Sequence, residues 1–288
     1  VALTADAGNS DRSMYFEQRF PVRYFNMGIA EQSLVDTAVG MSYSGFVPFV
    51  NAFAVFLATR ALEMIRTHAC YGRAPIKLMG AYAGLSDSFD GPTHHSITDI
   101  AIMRSLPYMS VVIPGDPREM EAVLKAVYEW KGPVFCRLNR NEVPLIYKDE
   151  IPEFKIGKAR QLREGSDATI IANGMLLSRS LQAADQLQLE GLSVRVVEMH
   201  TVKPLDIDTV KRAAKETGAI VTAEEHSIIG GLGAAVCETV SSSQPVPVIR
   251  VGINDQFAET GPYERLLDAY GMSVEDICAA VKTAVKLK

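Results

Sequence analysis

Residues 22–44 read Val22-Arg23-Tyr24-Phe25-Asn26-Met27-Gly28-Ile29-Ala30-Glu31-Gln32, then Ser33-Leu34-Val35-Asp36-Thr37-Ala38-Val39-Gly40-Met41-Ser42-Tyr43-Ser44. A β-rich run over Val22–Asn26 passes through a glycine turn into an apolar-periodic helix expected over Ala30–Ser44. The same unit recurs down the first half of the chain. Strands are expected at Phe46–Val50, Ile76–Gly80, Ser110–Pro114 and Val134–Leu138, with helices over Phe53–Tyr71, Thr98–Ser105 and Pro117–Trp130. The last helix carries a strong start signal: Asp116 suits the cap, Pro117 the first position, and Glu119 completes a capping-box spacing. Strand–helix alternation of this kind predicts a mostly parallel sheet with helices on both faces.

The pattern breaks over residues 144–166, which hold two prolines, two glycines, many charges and no long apolar run. We read this stretch as a linker. A second α/β pattern follows, with strands at Ala168–Asn173, Ser193–His200, Ala219–Glu224 and Pro247–Val251. Its helices are expected at Leu177–Glu190, Asp206–Glu216, Gly233–Ser242 and Ser273–Val285. The fold class is therefore α/β in two domains, residues 1–143 and 167–288, each a mostly parallel sheet flanked by helices. A chain of 288 residues suits two domains of ordinary size.

Composition narrows the function classes. The chain is 48% hydrophobic and 22% charged, as for an average globular protein. Its net charge of −5 gives no basic field for nucleic acid, so no nucleic-acid partner is expected. No apolar run is long enough to span a bilayer, so no membrane partner is expected either. Cys70, Cys136, Cys237 and Cys278 form no Cys-x-x-Cys pair and read as small core residues, which suits a cytoplasmic location. The chain opens on Val1 rather than Met, and further residues are expected to precede it in the gene product.

Three segments carry candidate chemistry. Glu31 lies in the first turn of its helix, where a carboxylate ordinarily just complements the helix dipole. Its functional reading is a carboxylate in an apolar pocket, where its proton affinity rises and it can share a proton with a ring nitrogen. In Pro48-Phe49-Val50-Asn51-Ala52-Phe53-Ala54-Val55-Phe56, Phe53 and Phe56 fall on one side of a helix. They are either plain core or a flat wall for a heteroaromatic ring. Residues 84–95, which end in Asp90-Gly91-Pro92-Thr93-His94-His95, are expected to be too polar and turn-rich for burial. Loops of this type at the carboxyl ends of parallel strands bind ligands. Neighbouring side chains usually diverge, so His94 and His95 are not expected to share a metal; no metal ligands are assigned to this chain. Arg137 and Arg140 follow a strand end, where each either forks onto a phosphate or makes a surface ion pair. Glu224-Glu225-His226 precedes Gly230-Gly231-Leu232-Gly233, which we read as tight turn geometry and subunit packing rather than catalysis.

Taken together, these segments resemble the C-terminal portion of transketolases over nearly the whole chain, and split transketolases in particular, whose catalytic unit is encoded as two subunits. What the resemblance implies is specific. Glu31, in Gly-Ile-Ala-Glu-Gln, bonds the aminopyrimidine of thiamine diphosphate and is catalytic. Phe53 and Phe56 surround that ring, and Asp6 meets the cofactor across a subunit interface. Asp90 and His94, in the Asp-Gly-Pro-Thr-His turn, contact the hydroxyls of a ketose donor, with His94 also catalytic. Arg140, in Leu138-Asn139-Arg140-Asn141, grips a sugar phosphate, and Ser10 falls near another phosphate contact. Tyr82 is a departure, standing on the substrate side about where a full transketolase usually has histidine. Ser86-Asp87-Ser88-Phe89 likewise replaces the usual acidic-glycine approach to the turn.

No Gly-Asp-Gly segment followed by an Asn metal ligand occurs in the sequence. The resemblance therefore implies a diphosphate-binding N-terminal partner subunit that holds a divalent metal, Mg or Ca, in a heterotetramer. The expected function is the smaller subunit of a two-subunit transketolase, moving a two-carbon ketol group from a ketose to an aldose; the substrates are sugars or sugar phosphates. Rival readings are the β subunit of a 2-oxoacid dehydrogenase, a fragment of a deoxyxylulose-phosphate synthase, and a non-catalytic interaction subunit.

Overall fold

The computed structural model of the chain describes residues 1–148 and 153–288. Positions 149–152, within the stretch expected as linker, lie outside the described residues. Among those described, the strands are β1 (Ala2–Thr4), β2 (Tyr24–Asn26), β3 (Phe49–Phe53), β4 (Lys77–Ala81), β5 (Ser110–Val112), β6 (Val134–Arg137), β7 (Arg160–Arg163), β8 (Ala168–Ala172), β9 (Val194–Glu198), β10 (Thr201–Lys203), β11 (Ile220–Ser227) and β12 (Val248–Ile253).

They form two sheets, ordered β10-β5-β6-β4-β3-β1-β2 and β12-β11-β8-β9-β7. All pairings are parallel except β10 with β5 and β7 with β9, which close one edge of each sheet. The α/β class with two mostly parallel sheets is therefore as expected. β10 comes from the second half of the sequence yet completes the first sheet. The core is shared as well: one apolar cluster joins Leu34, Leu57 and Leu78 to Val197, Met199 and Leu232. The two halves are thus packed into each other rather than merely tethered.

Local chemistry explains where the elements begin. Asp116 accepts from the Glu119 N–H at 2.8 Å and caps the helix Pro117–Glu129. The expected reciprocal bond is displaced by one residue, because the Glu119 carboxylate takes the Gly115 N–H at 2.8 Å. A full capping box does form at Ser273 and Asp276, opening the helix Val274–Lys286.

Several expectations need correction. The strand expected at Phe46–Val50 lies at Phe49–Phe53, since Pro48 has no N–H for a ladder and the pairing starts beyond it. The helix expected over Phe53–Tyr71 is broken into Ala54–Ala58, Leu62–Met64 and a wider turn over Ile65–Tyr71. Strand β7 lies inside the stretch 144–166. Three of the four cysteines are buried; Cys237 is partly exposed.

Candidate functional site

Five neighbouring strands of the first sheet, β6-β4-β3-β1-β2, all run parallel, so their carboxyl ends lie along one rim. That rim is where ligands bind in open α/β sheets. The chain leaves β1 at Asp6, β2 at the turn before Glu31, β3 at Phe53, β4 at Tyr82 and β6 toward Arg140. Residues far apart in sequence thus arrive in spatial order.

One part of this rim is a cleft of about 250 Å³, lined by Asp6, Ser10, Ile29, Glu31, Phe53, Phe56 and His94 among others. Asp6 adopts φ +57°, a left-handed conformation. Asn26 holds it there: its Oδ1 accepts from the Asp6 and Gly28 N–H groups at 3.1 and 3.0 Å, and its Nδ2 donates to Asp6 Oδ1 at 2.8 Å. One amide thus fixes the loops after β1 and β2 against each other. Glu31 is the first residue of the helix Glu31–Tyr43 and is only 2% exposed. Both of its carboxylate oxygens face Arg60 Nη1, at 2.7 and 2.8 Å.

Arg60 was not anticipated. Its guanidinium also lies 4.3 Å from the centre of the Phe56 ring. The sequence did hold a signal, since Phe56 and Arg60 are spaced four residues apart, about one helical turn. The two phenylalanine rings lie 5.9 Å apart and nearly parallel, and His94 meets Phe56 edge-on at 5.3 Å. The sequence-expected set Asp6, Ser10, Glu31, Phe53, Phe56 and His94 therefore does share one cleft.

Tyr82, Asp90 and Arg140 do not line that cleft but adjoin it. Tyr82 takes φ +59° and stacks on Phe53 at 4.5 Å. Arg140 lies 4.7 Å over the Tyr82 ring, and its Nη1 donates to Asp87 Oδ1 at 2.6 Å. The expectation that residues 84–95 avoid burial holds only for part of them. Leu85, Ser86, Asp87, Ser88 and His95 are buried, whereas Phe89 and Asp90 are exposed. Contacts from distant elements cover this segment: Glu225 on β11 receives the Leu85 N–H at 2.6 Å, the Asn141 side chain donates to the Ser86 carbonyl at 3.0 Å, and the Gly261 N–H donates to the Ser88 carbonyl at 3.1 Å. Burial and then the neighbouring Asp90 charge push the Asp87 carboxyl above its usual range. Burial lowers the pKa of His95, and neither of its ring nitrogens has a hydrogen-bond partner among the described residues.

Arg137 is neither a phosphate fork nor a surface pair. It is 5% exposed and binds Asp99 at 2.9 and 3.1 Å, with the Ser96 and Glu225 carbonyls completing its shell. Glu224 confirms the turn reading of the glycine-rich segment: its carboxylate accepts from the Leu232 and Gly233 N–H groups at 2.7 and 2.8 Å. A Cβ on Gly231 would stand 2.1 Å from that carboxylate, so only glycine fits.

The cleft suits half of a thiamine diphosphate. A buried carboxylate beside two flat apolar rings matches a heteroaromatic ring with a hydrogen-bonding nitrogen. Among the described residues, the cleft is lined by two carboxylates and by no Lys or Arg, and the neighbouring Arg60 is taken up by Glu31, so no free cation lines it to grip a diphosphate. Among the described residues, no group of three or more His, Cys, Asp and Glu side chains is arranged to hold a metal ion.

Comparison with known proteins agrees with this geometry. The profile of the transketolase pyrimidine binding domain matches residues 1–145, and that of the transketolase C-terminal domain matches residues 157–277. The chain is 38% identical to one subunit of the apulose-4-phosphate transketolase of Phocaeicola vulgatus, over 99% of this chain and 91% of that protein. It is 36% identical to a 6-deoxy-6-sulfo-D-fructose transketolase subunit of Clostridium sp., over 100% of this chain and 89% of that protein. A solved structure described as a split gene transketolase, inactive beta4 tetramer, superposes with a TM-score of 0.93 at 44% identity, covering 100% of this chain and 92% of that one. From the strand rim to the aromatic cleft, and across both halves, the chain belongs to the transketolase family.

Proposed function

We propose that this chain is the smaller, pyrimidine-binding subunit of a two-subunit, thiamine-diphosphate-dependent transketolase that moves a two-carbon ketol group from a ketose to an aldose. The observation that carries this reading is the buried Glu31 carboxylate in an aromatic cleft whose neighbouring cation, Arg60, is engaged by Glu31 rather than free for a diphosphate. Residues 1–143 form the pyrimidine-binding half and residues 167–288 the C-terminal half, whose sheet also takes β7 (Arg160–Arg163) from the stretch expected as linker. Thiamine diphosphate supplies the electron sink for breaking the bond beside a ketose carbonyl.

This chain's own residues do the rest. Glu31 holds or takes a proton at the pyrimidine nitrogen, while Arg60 fixes its carboxylate at the mouth of the helix. Phe53 and Phe56 hold the ring flat by burial and stacking. Asp6 meets the cofactor at the subunit boundary. Asp90 and His94 orient the donor's hydroxyls, with Tyr82, Ser10 and Arg140 lining the way to its far end.

A diphosphate-binding N-terminal subunit holds the metal ion, Mg or Ca, and closes the cleft. Edge strand β2 supports this, because among the described residues no strand pairs with its outer side. Exposed Val22 and Ile29, 86% and 75% accessible, flank it and await cover. Each cofactor lies between unlike chains, so two copies of each give a heterotetramer in the cytoplasm. Light scattering of an equimolar mixture with such a partner is expected to give the mass of two plus two chains. A stable, active one-to-one complex contradicts that stoichiometry.

A further inference from the structure

The far end of the substrate path has a charge pattern that the family likeness does not predict. We propose that the juxtaposition of Arg140 with Asp87 and Asp90, beside Tyr82, selects a sugar whose far end is an uncharged, hydroxyl-bearing carbon rather than a phosphate. The inference rests on the transketolase reading and names the substrate class of that same site.

Arg140 is the cation at this end of the path. Its Nη1 donates to Asp87 Oδ1 at 2.6 Å, so its charge is matched within the protein. Asp87 is fully buried, and its second oxygen has no hydrogen-bond donor among the described residues. Asp90 stands beside it, close enough that its charge helps to raise the Asp87 pKa after burial itself. Asp87 thus matches the Arg140 charge, and a second carboxyl group, Asp90, lies close to Asp87.

A phosphate needs a guanidinium whose charge and forked donors are free. Here it would meet a buried carboxylate instead, and like charges in a low-dielectric setting repel strongly. A hydroxyl fits the same pattern without penalty. It can donate to a carboxylate oxygen and accept from the open edge of Arg140, whose side chain is 41% exposed. Tyr82 reinforces the choice. Its ring, 9% exposed and stacked on Phe53, gives Arg140 a flat aromatic seat.

The test uses the chain assembled with its N-terminal partner subunit, with D-xylulose and D-xylulose 5-phosphate as donor probes. The expected result is a higher kcat/KM for the unphosphorylated sugar. Asp87→Asn, which removes a charge and little volume, is expected to shift the ratio toward the phosphate on the order of tenfold. Asp90→Asn, at an exposed position, shifts it the same way and serves should the buried variant fold poorly. Preference for the phosphate in the wild type, or an Asp87→Asn change that weakens the phosphate arm, overturns the proposal: Asp87 then braces Arg140 for an anion. Calorimetric binding of the two sugars to the assembly gives the same ranking without turnover. Absence of ketol transfer from both sugars with that ranking intact counts against the transketolase reading, whereas a reversed ranking counts against this inference alone.

Discussion

Replacing Glu31 by Gln is expected to lower turnover of the assembled enzyme by roughly 10²–10⁴-fold, the scale of a lost acid–base group. The substitution is nearly isosteric. Gln keeps an oxygen to accept from Arg60 Nη1, which now sits 2.7 and 2.8 Å from the two carboxylate oxygens. What it loses is the ability to hold and return a proton at the cofactor ring. Folding is expected to survive, because the partner Arg60 is 40% exposed and the pair is not sealed in the core. The check is kcat together with the melting temperature of the variant. Turnover within about threefold of wild type, well short of an acid–base loss, returns Glu31 to a helix-dipole role. A collapse of the fold makes it a structural anchor.

Glu225→Gln is expected to change how stability depends on pH. Glu225 lies inside the protein, bonded by the Leu85 N–H, the Tyr263 hydroxyl at 2.8 Å and Asn139 at 3.3 Å. Burial pushes its pKa up to about 7, against the opposing pull of Arg137. A carboxyl raised above its unfolded value contributes its full stability below that value, near about 4.3. The contribution shrinks as pH rises and is lost past about 7. From about pH 4.5 to 7.5 the wild type should lose roughly 3 kcal/mol relative to Glu225→Gln, an order-of-magnitude figure from the linkage relation. Burial raises Glu119 and Glu198 in the same direction. Burial also holds His200 neutral, with its pKa lowered to about 3, and so opposes them as pH falls. Those groups are common to both proteins and cancel in the comparison. Denaturant titrations at about pH 5 and pH 7.5, on either side of most of the linkage window, decide the point. An equal difference between the two proteins at both values contradicts it.

What could be read from sequence follows the reach of each signal. Glu31, Phe53 and the Asp-Gly-Pro-Thr-His turn were legible because each sits in a short local pattern. The strand–helix alternation that orders the rim was legible for the same reason. Arg60 and Asp87 were not, because their roles come from partners 29 and 53 residues away. The buried half of the segment at Leu85 looked exposed in sequence, since its partners are distant in the chain, Glu225 lying 140 residues on. Strands β1, β7 and β10 are three or four residues long, too short for a period to show, and β10 joins a sheet built by the other half. The register of β3 follows from Pro48, a signal present in the sequence and outweighed there by the apolar Phe46 and Val47.

The central claim is that this chain holds half of an active site. The most direct measurement is the rate of ketol transfer from a ketose to an aldose, with thiamine diphosphate and a divalent metal. It is read for this chain alone, for an N-terminal diphosphate-binding subunit alone, and for the two mixed. The prediction is transfer in the mixture and none with either chain by itself. Robust turnover by this chain alone, or a mixture that assembles and stays inactive, contradicts it.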